Sequence, residues 1–117
     1  MHELSIVMEV VRQVQEIAVA NHVTKIEKIV LQIGEAAPVV PRFIEECFPA
    51  AVDGTNMEGT KLELELVPSI GLCKACGKTY RLSEQGGRCT HCGGSEYQFL
   101  SGRDFILKEI VVEDEEE

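Results

Sequence analysis

Between Cys73 and Cys92 the chain reads CKACGKTYRLSEQGGRCTHC: two Cys-x-x-Cys pairs with twelve residues between Cys76 and Cys89. Each pair can grip one edge of a metal ion, and the connecting loop is long enough to fold back and deliver the second pair. Four thiolates on a tetrahedron suit Zn²⁺, which has no d-electron preference and favours four-coordinate sulfur when its role is structural. Gly77 and Gly93-Gly94 follow the two pairs, where the backbone of a zinc ribbon must curl towards the sulfurs. Two disulfides, a redox Cys-x-x-Cys and an iron–thiolate centre draw on the same residue type. The spacing and the lack of an export signal favour zinc over these. His91, inside the second pair, reads as an exposed loop residue.

The chain has 117 residues, enough for one modest core and a small metal-stapled module. It contains no apolar run of about 18 residues, and so no expected membrane span. His2 and Glu3 stand where a signal peptide would carry basic residues. Cys47 lies in an apolar pattern and reads as a buried reduced thiol without a metal role. These features place the protein in a reducing cytoplasm.

Net charge is −9, unevenly spread. Residues 1–69 carry five Lys or Arg against eleven Asp or Glu, residues 70–103 five against two, and residues 104–117 one against seven. Four metal-bound thiolates and a dication would bring the middle segment to about +1. That is a poor footprint for nucleic acid, which asks for a clearly basic surface.

Residues 3–20 predict an amphipathic helix. Leu4, Val7, Val11, Val14 and Ala18 recur at three and four, Ile6, Val10 and Ile17 widen the stripe, and Asn21 is the expected stop. Residues 25–34 predict a strand ended by Gly34, with Ile29, Leu31 and Ile33 on one face and Ile26 and Val30 on the other. A second helix is expected within 38–52, opened by Pro41 and bent or shortened by Pro49. Leu62, Leu64 and Leu66 alternate with Glu63 and Glu65 in a half-exposed strand, and residues 104–112 predict a last strand before an acidic tail. The cysteine segment lies between these last two strands, with Tyr80 and Leu82 beside the metal. The expected fold is α+β: two helices on a small three-stranded mixed sheet with an inserted zinc-ribbon domain. The domains are 1–69 plus 103–117 and the inserted 70–102, joined through turns at 68–71 and 101–102.

Met1, His2 and Glu3 offer a second kind of chemistry. A terminal amine, the amide of residue 2 and its imidazole can close adjoining chelate rings in one plane, which Ni²⁺ or Cu²⁺ rewards and Zn²⁺ does not. Glu3 can add a carboxylate or polarise the imidazole. On these residues alone the signal is weak, because an exposed N-terminal histidine is usually just solvated; His22 reads as a surface residue. No H-E-x-x-H, G-x-S-x-G or P-loop occurs, so nothing points to an enzyme.

The whole chain resembles the hydrogenase nickel-insertion accessory family (HypA/HybF). The likeness runs through MHELS, KIVLQIG, the VVP segment, DGTNMEGTKLELE, the paired cysteines and SGRDFILKEIVVE. The resemblance implies a nickel metallochaperone with Ni(II) held by Met1 (through its amine), His2 and Glu3, and structural Zn(II) held by Cys73, Cys76, Cys89 and Cys92. It implies work with a nickel-handling GTPase and delivery to the large subunit of [NiFe] hydrogenase. Some members also serve urease, which adds urease accessory proteins to the implied partners. Members are monomers or weak dimers. The rival reading is a zinc-ribbon protein-docking adaptor with no nickel-transfer role.

Overall fold

The computed structural model describes residues 3–113. Their order is α1 (Glu3–Ala20), β1 (Ile26–Gly34), α2 (Pro41–Val52), β2 (Lys61–Val67), β3 (Ile70–Cys73), β4 (Thr79–Arg81), β5 (Tyr97–Ser101) and β6 (Phe105–Val112). One sheet has the order β2-β1-β6 and the other β4-β3-β5. The fold is α+β, two helices on a small three-stranded mixed sheet, with the cysteine module inserted between β2 and β6. Thr60 Oγ1 donates to the Ile26 carbonyl, and the N–H of Glu35 to that of Val67, so β1 and β2 run parallel. Gly34 N–H donates to Asp104 and Glu113 N–H to Lys25, so β6 runs antiparallel to β1.

The chain forms two compact units. The first takes in α1, β1 as far as Leu31, α2, β2 as far as Leu64, and β6 from Leu107. Its buried residues include Val7, Val10, Val11, Val14 and Ala18 of α1, Ile29 and Leu31 of β1, and Ile44, Phe48 and Val52 of α2. Leu4 and Ile17 were expected in the α1 stripe but are 39% and 44% exposed. They stand at its two edges, about 60–80° from its centre at 100° per residue, where a helix face turns back to water. The helix stop also differs. His22, not Asn21, takes the left-handed conformation at φ 60°, and Val23 N–H reaches the Ala18 carbonyl at 2.8 Å. Asn21 instead bonds the Ile17 carbonyl through its side chain.

Val40 precedes a proline and is therefore driven extended (φ −103°, ψ 114°), which suits the residue that begins α2. Pro49 does not end α2, which continues to Val52. One helical hydrogen bond is lost there, and burial of Phe48 and Val52 on either side of the proline offsets it. Along β2 the alternation holds through Leu64 and then slips: Glu65, expected in water, is half-buried and accepts from Gln32, and Leu66, expected inward, is 65% exposed at the end of an edge strand.

The second unit is Gln32–Pro38 with Glu65–Ile106. Three backbone segments meet closely in it. A Cβ on Gly34 would lie 2.2 Å from the Gly102 carbonyl carbon, and one on Gly102 (φ +95°) would lie 2.3 Å from the Pro68 oxygen. Only glycine permits that approach. Beside it, the Glu35 carboxylate accepts the Ser69 N–H and hydroxyl, each at 3.0 Å, and the Arg81 guanidinium at 3.0 Å. The connection expected over 68–71 is only Pro68 and Ser69, because Ile70 and Gly71 already pair in β3; Glu35 ties it to Arg81, and Ser69 is buried. The Ser69 N–H, then its hydroxyl, then Arg81 hold the Glu35 carboxyl below its ordinary value of 4.5, with desolvation opposing.

A depressed folded-state value means Glu35 stabilises the fold above its ordinary range, and that contribution is lost as pH falls through the lowered value. We expect Glu35→Gln to lower the urea midpoint at neutral pH, with the gap to the unmodified chain closing as pH falls below the carboxylate range. A gap constant from pH 7 to pH 3 would contradict this.

Candidate metal centre

The four cysteines are brought together by two turns of the same design. Cys73 ends β3 and Cys76 lies in the turn before β4; Cys89 and Cys92 lie in the loop before β5. In the first turn Gly77 N–H donates to the Cys73 carbonyl and Cys73 N–H to the Lys78 carbonyl, both at 2.9 Å. In the second, Gly93 N–H donates to Cys89 at 2.9 Å and Cys89 N–H to Gly94 at 2.8 Å. Gly77 and Gly93 have φ +78° and +80°, a conformation that side chains rarely adopt. Each Cys-x-x-Cys-Gly run therefore folds into the same knuckle, and β3 at the centre of the β4-β3-β5 sheet sets them facing each other.

The four Sγ atoms lie within 4.8 Å of one another. Cys73 Sγ is 3.6 Å from Cys92 Sγ, and Cys76 Sγ is 3.7 Å from Cys89 Sγ. Four sulfurs about 2.3 Å from one tetrahedral ion stand about 3.8 Å apart, so the set fits a zinc-sized centre. A disulfide needs about 2.05 Å. Cys73 and Cys89 are buried, whereas Cys76 and Cys92 are exposed. Beneath the buried pair, Tyr80 completes a small core against which Leu82 and Tyr97 pack. The Tyr80 hydroxyl donates to the Gly87 carbonyl at 2.9 Å, and its ring meets Tyr97 edge-on. Tyr80 and Leu82 take their expected places; Tyr97 is an additional wall of the site.

Electrostatics divides the four thiols. Burial raises Cys89, yet the N–H groups of Cys92 and His91 and the neighbouring thiols outweigh it and hold Cys89 at about 6. Cys73 is also lowered, first by the Cys76 N–H. At Cys92 the Gly94 N–H lowers the value, but the adjacent sulfurs and burial prevail and push it up to about 11. Cys76 is likewise raised: the Lys78 N–H opposes, and desolvation with the other sulfurs prevails. Four thiolates this close cannot all be charged without a cation among them, which is the electrostatic reason for a metal.

The other predicted residues fall elsewhere. Met1 and His2 lie outside the described residues. The Glu3 carboxylate accepts the Val40 N–H at 3.2 Å. Cys47 is half-buried on α2, apart from the quartet. His22 and His91 are exposed, and the His91 N–H donates to Cys89 Sγ at 3.3 Å. Among the described residues no helix is long and apolar enough to cross a membrane.

A helix-and-sheet unit interrupted by a four-sulfur module defines a small metal-binding protein whose cysteine site is already complete in protein ligands. The family model for hydrogenase/urease nickel incorporation, metallochaperone, hypA, matches residues 1–112. The chain is 38% identical over 113 residues to the hydrogenase maturation factor HypA of Geobacter sp. (strain M21), spanning 97% of this chain and 100% of that one. It is 32% identical over 114 residues to that of Chlorobium limicola (strain DSM 245 / NBRC 103803 / 6330), spanning 97% and 98%. The solution structure of the Ni metallochaperone HypA from Helicobacter pylori shares the fold, with a TM-score of 0.68 at 22% identity over 98% of this chain and 100% of that one. The chain belongs to the HypA family of hydrogenase maturation proteins. It is accordingly a HypA-type nickel-maturation metallochaperone, an accessory protein and not an enzyme.

Metal uptake must displace protons from the raised thiols, Cys76 and Cys92. Affinity should therefore fall as pH falls, more steeply below about 6, where Cys89 also protonates. We expect proton release on metal titration at pH 7, together with loss of bound metal and a lower melting temperature in Cys73→Ala but not in Cys47→Ser. Unchanged metal content in Cys73→Ala would contradict the assignment.

Proposed function

We propose that the chain carries Ni(II) at its N-terminus and releases it during maturation of [NiFe] hydrogenase, while Zn(II) stays in the cysteine module. The observation that carries this reading is the family match beginning at residue 1, together with a separate four-sulfur site that needs no further ligand. Cys73, Cys76, Cys89 and Cys92 would hold zinc, whose chemistry there is to cross-link two knuckles and neutralise their charge. Residues 70–102 form the zinc domain on this reading, and 1–69 with 103–117 the nickel-handling domain.

Nickel is cargo. The Met1 amine and the His2 amide and imidazole are strong nitrogen donors in adjoining positions, suited to a planar d⁸ ion. The amine and imidazole have ordinary values of about 8 and about 6.5, so nickel is held more weakly as pH falls. A site at a chain end can be approached by an incoming ligand, so nickel can pass through a shared-ligand intermediate to the recipient. The large subunit of [NiFe] hydrogenase is the recipient, and a nickel-handling GTPase supplies the nucleotide-driven step, since this chain has no P-loop of its own. Urease accessory proteins are second partners of the same chemistry, and the compartment is the cytoplasm.

Nickel titration of zinc-loaded protein, beside the same protein extended by one N-terminal residue, tests the reading. The native form should bind one nickel with a planar-site spectrum, and the extended form and His2→Ala should lose both spectrum and delivery. Equal binding by all three would place nickel elsewhere. Intact delivery by His2→Ala would favour a docking adaptor.

A further inference from the structure

Residues 53–60 carry the chain from α2 to β2. At their start Asp53 has φ −58° and ψ 130° and Gly54 has φ +77°, the dihedrals of a type II turn, which needs glycine at its third position. Thr55 closes that turn on the Val52 carbonyl twice, through its N–H at 2.9 Å and its hydroxyl at 2.6 Å. Further on, Met57 is fully buried, and its N–H donates to Thr55 Oγ1 at 3.0 Å. Thr60 fixes the far end on the Ile26 carbonyl at 2.7 Å. Asp53 and Gly54 themselves are exposed, and a Cβ on Gly54 would meet nothing within 4 Å.

An aspartate followed by glycine is open to attack by its own main chain. The glycine nitrogen lies within ring-closing reach of the aspartate carboxyl carbon, and no side chain on the glycine stands in the way. Here one group engages that nitrogen: Glu58 Oε2 accepts the Gly54 N–H. This contact spans four residues within one exposed loop and joins no two elements, while Thr55 and Thr60 already anchor the loop at both ends. Its position on the attacking nitrogen gives it a chemical role.

We propose that the Asp53–Gly54 bond is a site of spontaneous conversion to isoaspartate, held in check by the Glu58 carboxylate. In the conversion the Gly54 nitrogen bonds to Asp53 Cγ, and the amide proton and the carboxyl hydroxyl leave as water. Water then adds to one carbonyl of the resulting succinimide. Opening at the main-chain carbonyl gives isoaspartate, whose main chain is one methylene longer; opening at the other restores aspartate. No oxidant or cofactor is needed. The nitrogen attacks only after giving up its proton. A carboxylate is too weak a base to take that proton, and its charge disfavours the amide anion beside it. Glu58 therefore holds the N–H and slows the ring closure. The extra methylene would fall four residues before the fully buried Met57, so the product should lose stability. The inference is independent of the nickel reading.

The experiment incubates the full, zinc-loaded chain and its Glu58→Gln, Glu58→Ala and Asp53→Ser variants at neutral pH, each well below its own melting temperature. Isoaspartate is counted with an isoaspartyl methyltransferase and a labelled methyl donor, and placed by peptide mapping. Glu58→Ala should accumulate it at residue 53 at least about threefold faster than the unmodified chain. Glu58→Gln, which keeps an acceptor for the Gly54 N–H, should be slower than Glu58→Ala. Asp53→Ser should abolish the signal at that position. Glu58→Ala no faster than the unmodified chain, Glu58→Gln as fast as Glu58→Ala, or a signal only at other residues would each overturn the proposal. Should Glu58→Ala fail to fold, the Gly54 amide of the unmodified chain decides the matter. Its hydrogen exchange should be slower than that of a free peptide of sequence VDGTNME; exchange at the peptide's rate would show that nothing guards the nitrogen.

Discussion

Four sulfurs within 4.8 Å of one another are an electrostatic problem that a dication solves. A module of about thirty residues buries too little surface to stand on its own, so a central cross-link supplies what a hydrophobic core would supply in a larger domain. Its small core of Cys73, Tyr80 and Cys89, walled by Leu82 and Tyr97, consists largely of the metal ligands and the rings beside them. The N–H groups of Cys92 and His91 stabilise charge on Cys89, while crowding raises Cys92. The set is prepared to exchange protons for metal. Two matched knuckles supply four sulfurs, enough to fill a tetrahedral shell without any further ligand.

The rest of the structure relies on carboxylates that reach back to main-chain N–H groups. Glu35 follows β1 and binds Ser69 and Arg81, fastening the loop after β1 to the strands of the cysteine module. Glu3 opens α1 and binds Val40, where α2 begins. Each accepts a main-chain N–H more than thirty residues away in the sequence. The close passage of Gly34 against Gly102, and of Gly102 against Pro68 and Ser69, removes the space in which side chains could mediate the same junction.

The cysteine spacing was legible because metal geometry is local: two atoms of each pair must meet one ion, and glycines must follow. The periods of α1, β1 and β2 were legible for the same local reason. What escaped depends on distant residues. Nothing near Glu35 in sequence announces Ser69 or Arg81, and nothing near Glu3 announces Val40. Tyr97 lies beyond the second cysteine pair, and its alternation with Phe99 was the available sign of a strand returning to β3. Met57, fully buried in the loop after α2, carries no periodic signature. Leu66 and Ile17 fit their patterns but sit at the end of an edge strand and the rim of a stripe. His22 took the left-handed turn expected of Asn21, whose N–H still bonds back to Ile17 and Ala18 as the helix runs one residue further.

The central claim is that two metals occupy two chemically distinct sites. X-ray absorption at the zinc and nickel edges of one sample, loaded with one equivalent of each, tests it most directly. The account predicts four sulfur neighbours at about 2.3 Å around zinc and a nickel shell of nitrogen and oxygen without sulfur. Sulfur in the nickel shell, with zinc displaced to nitrogen or oxygen ligands, would contradict it.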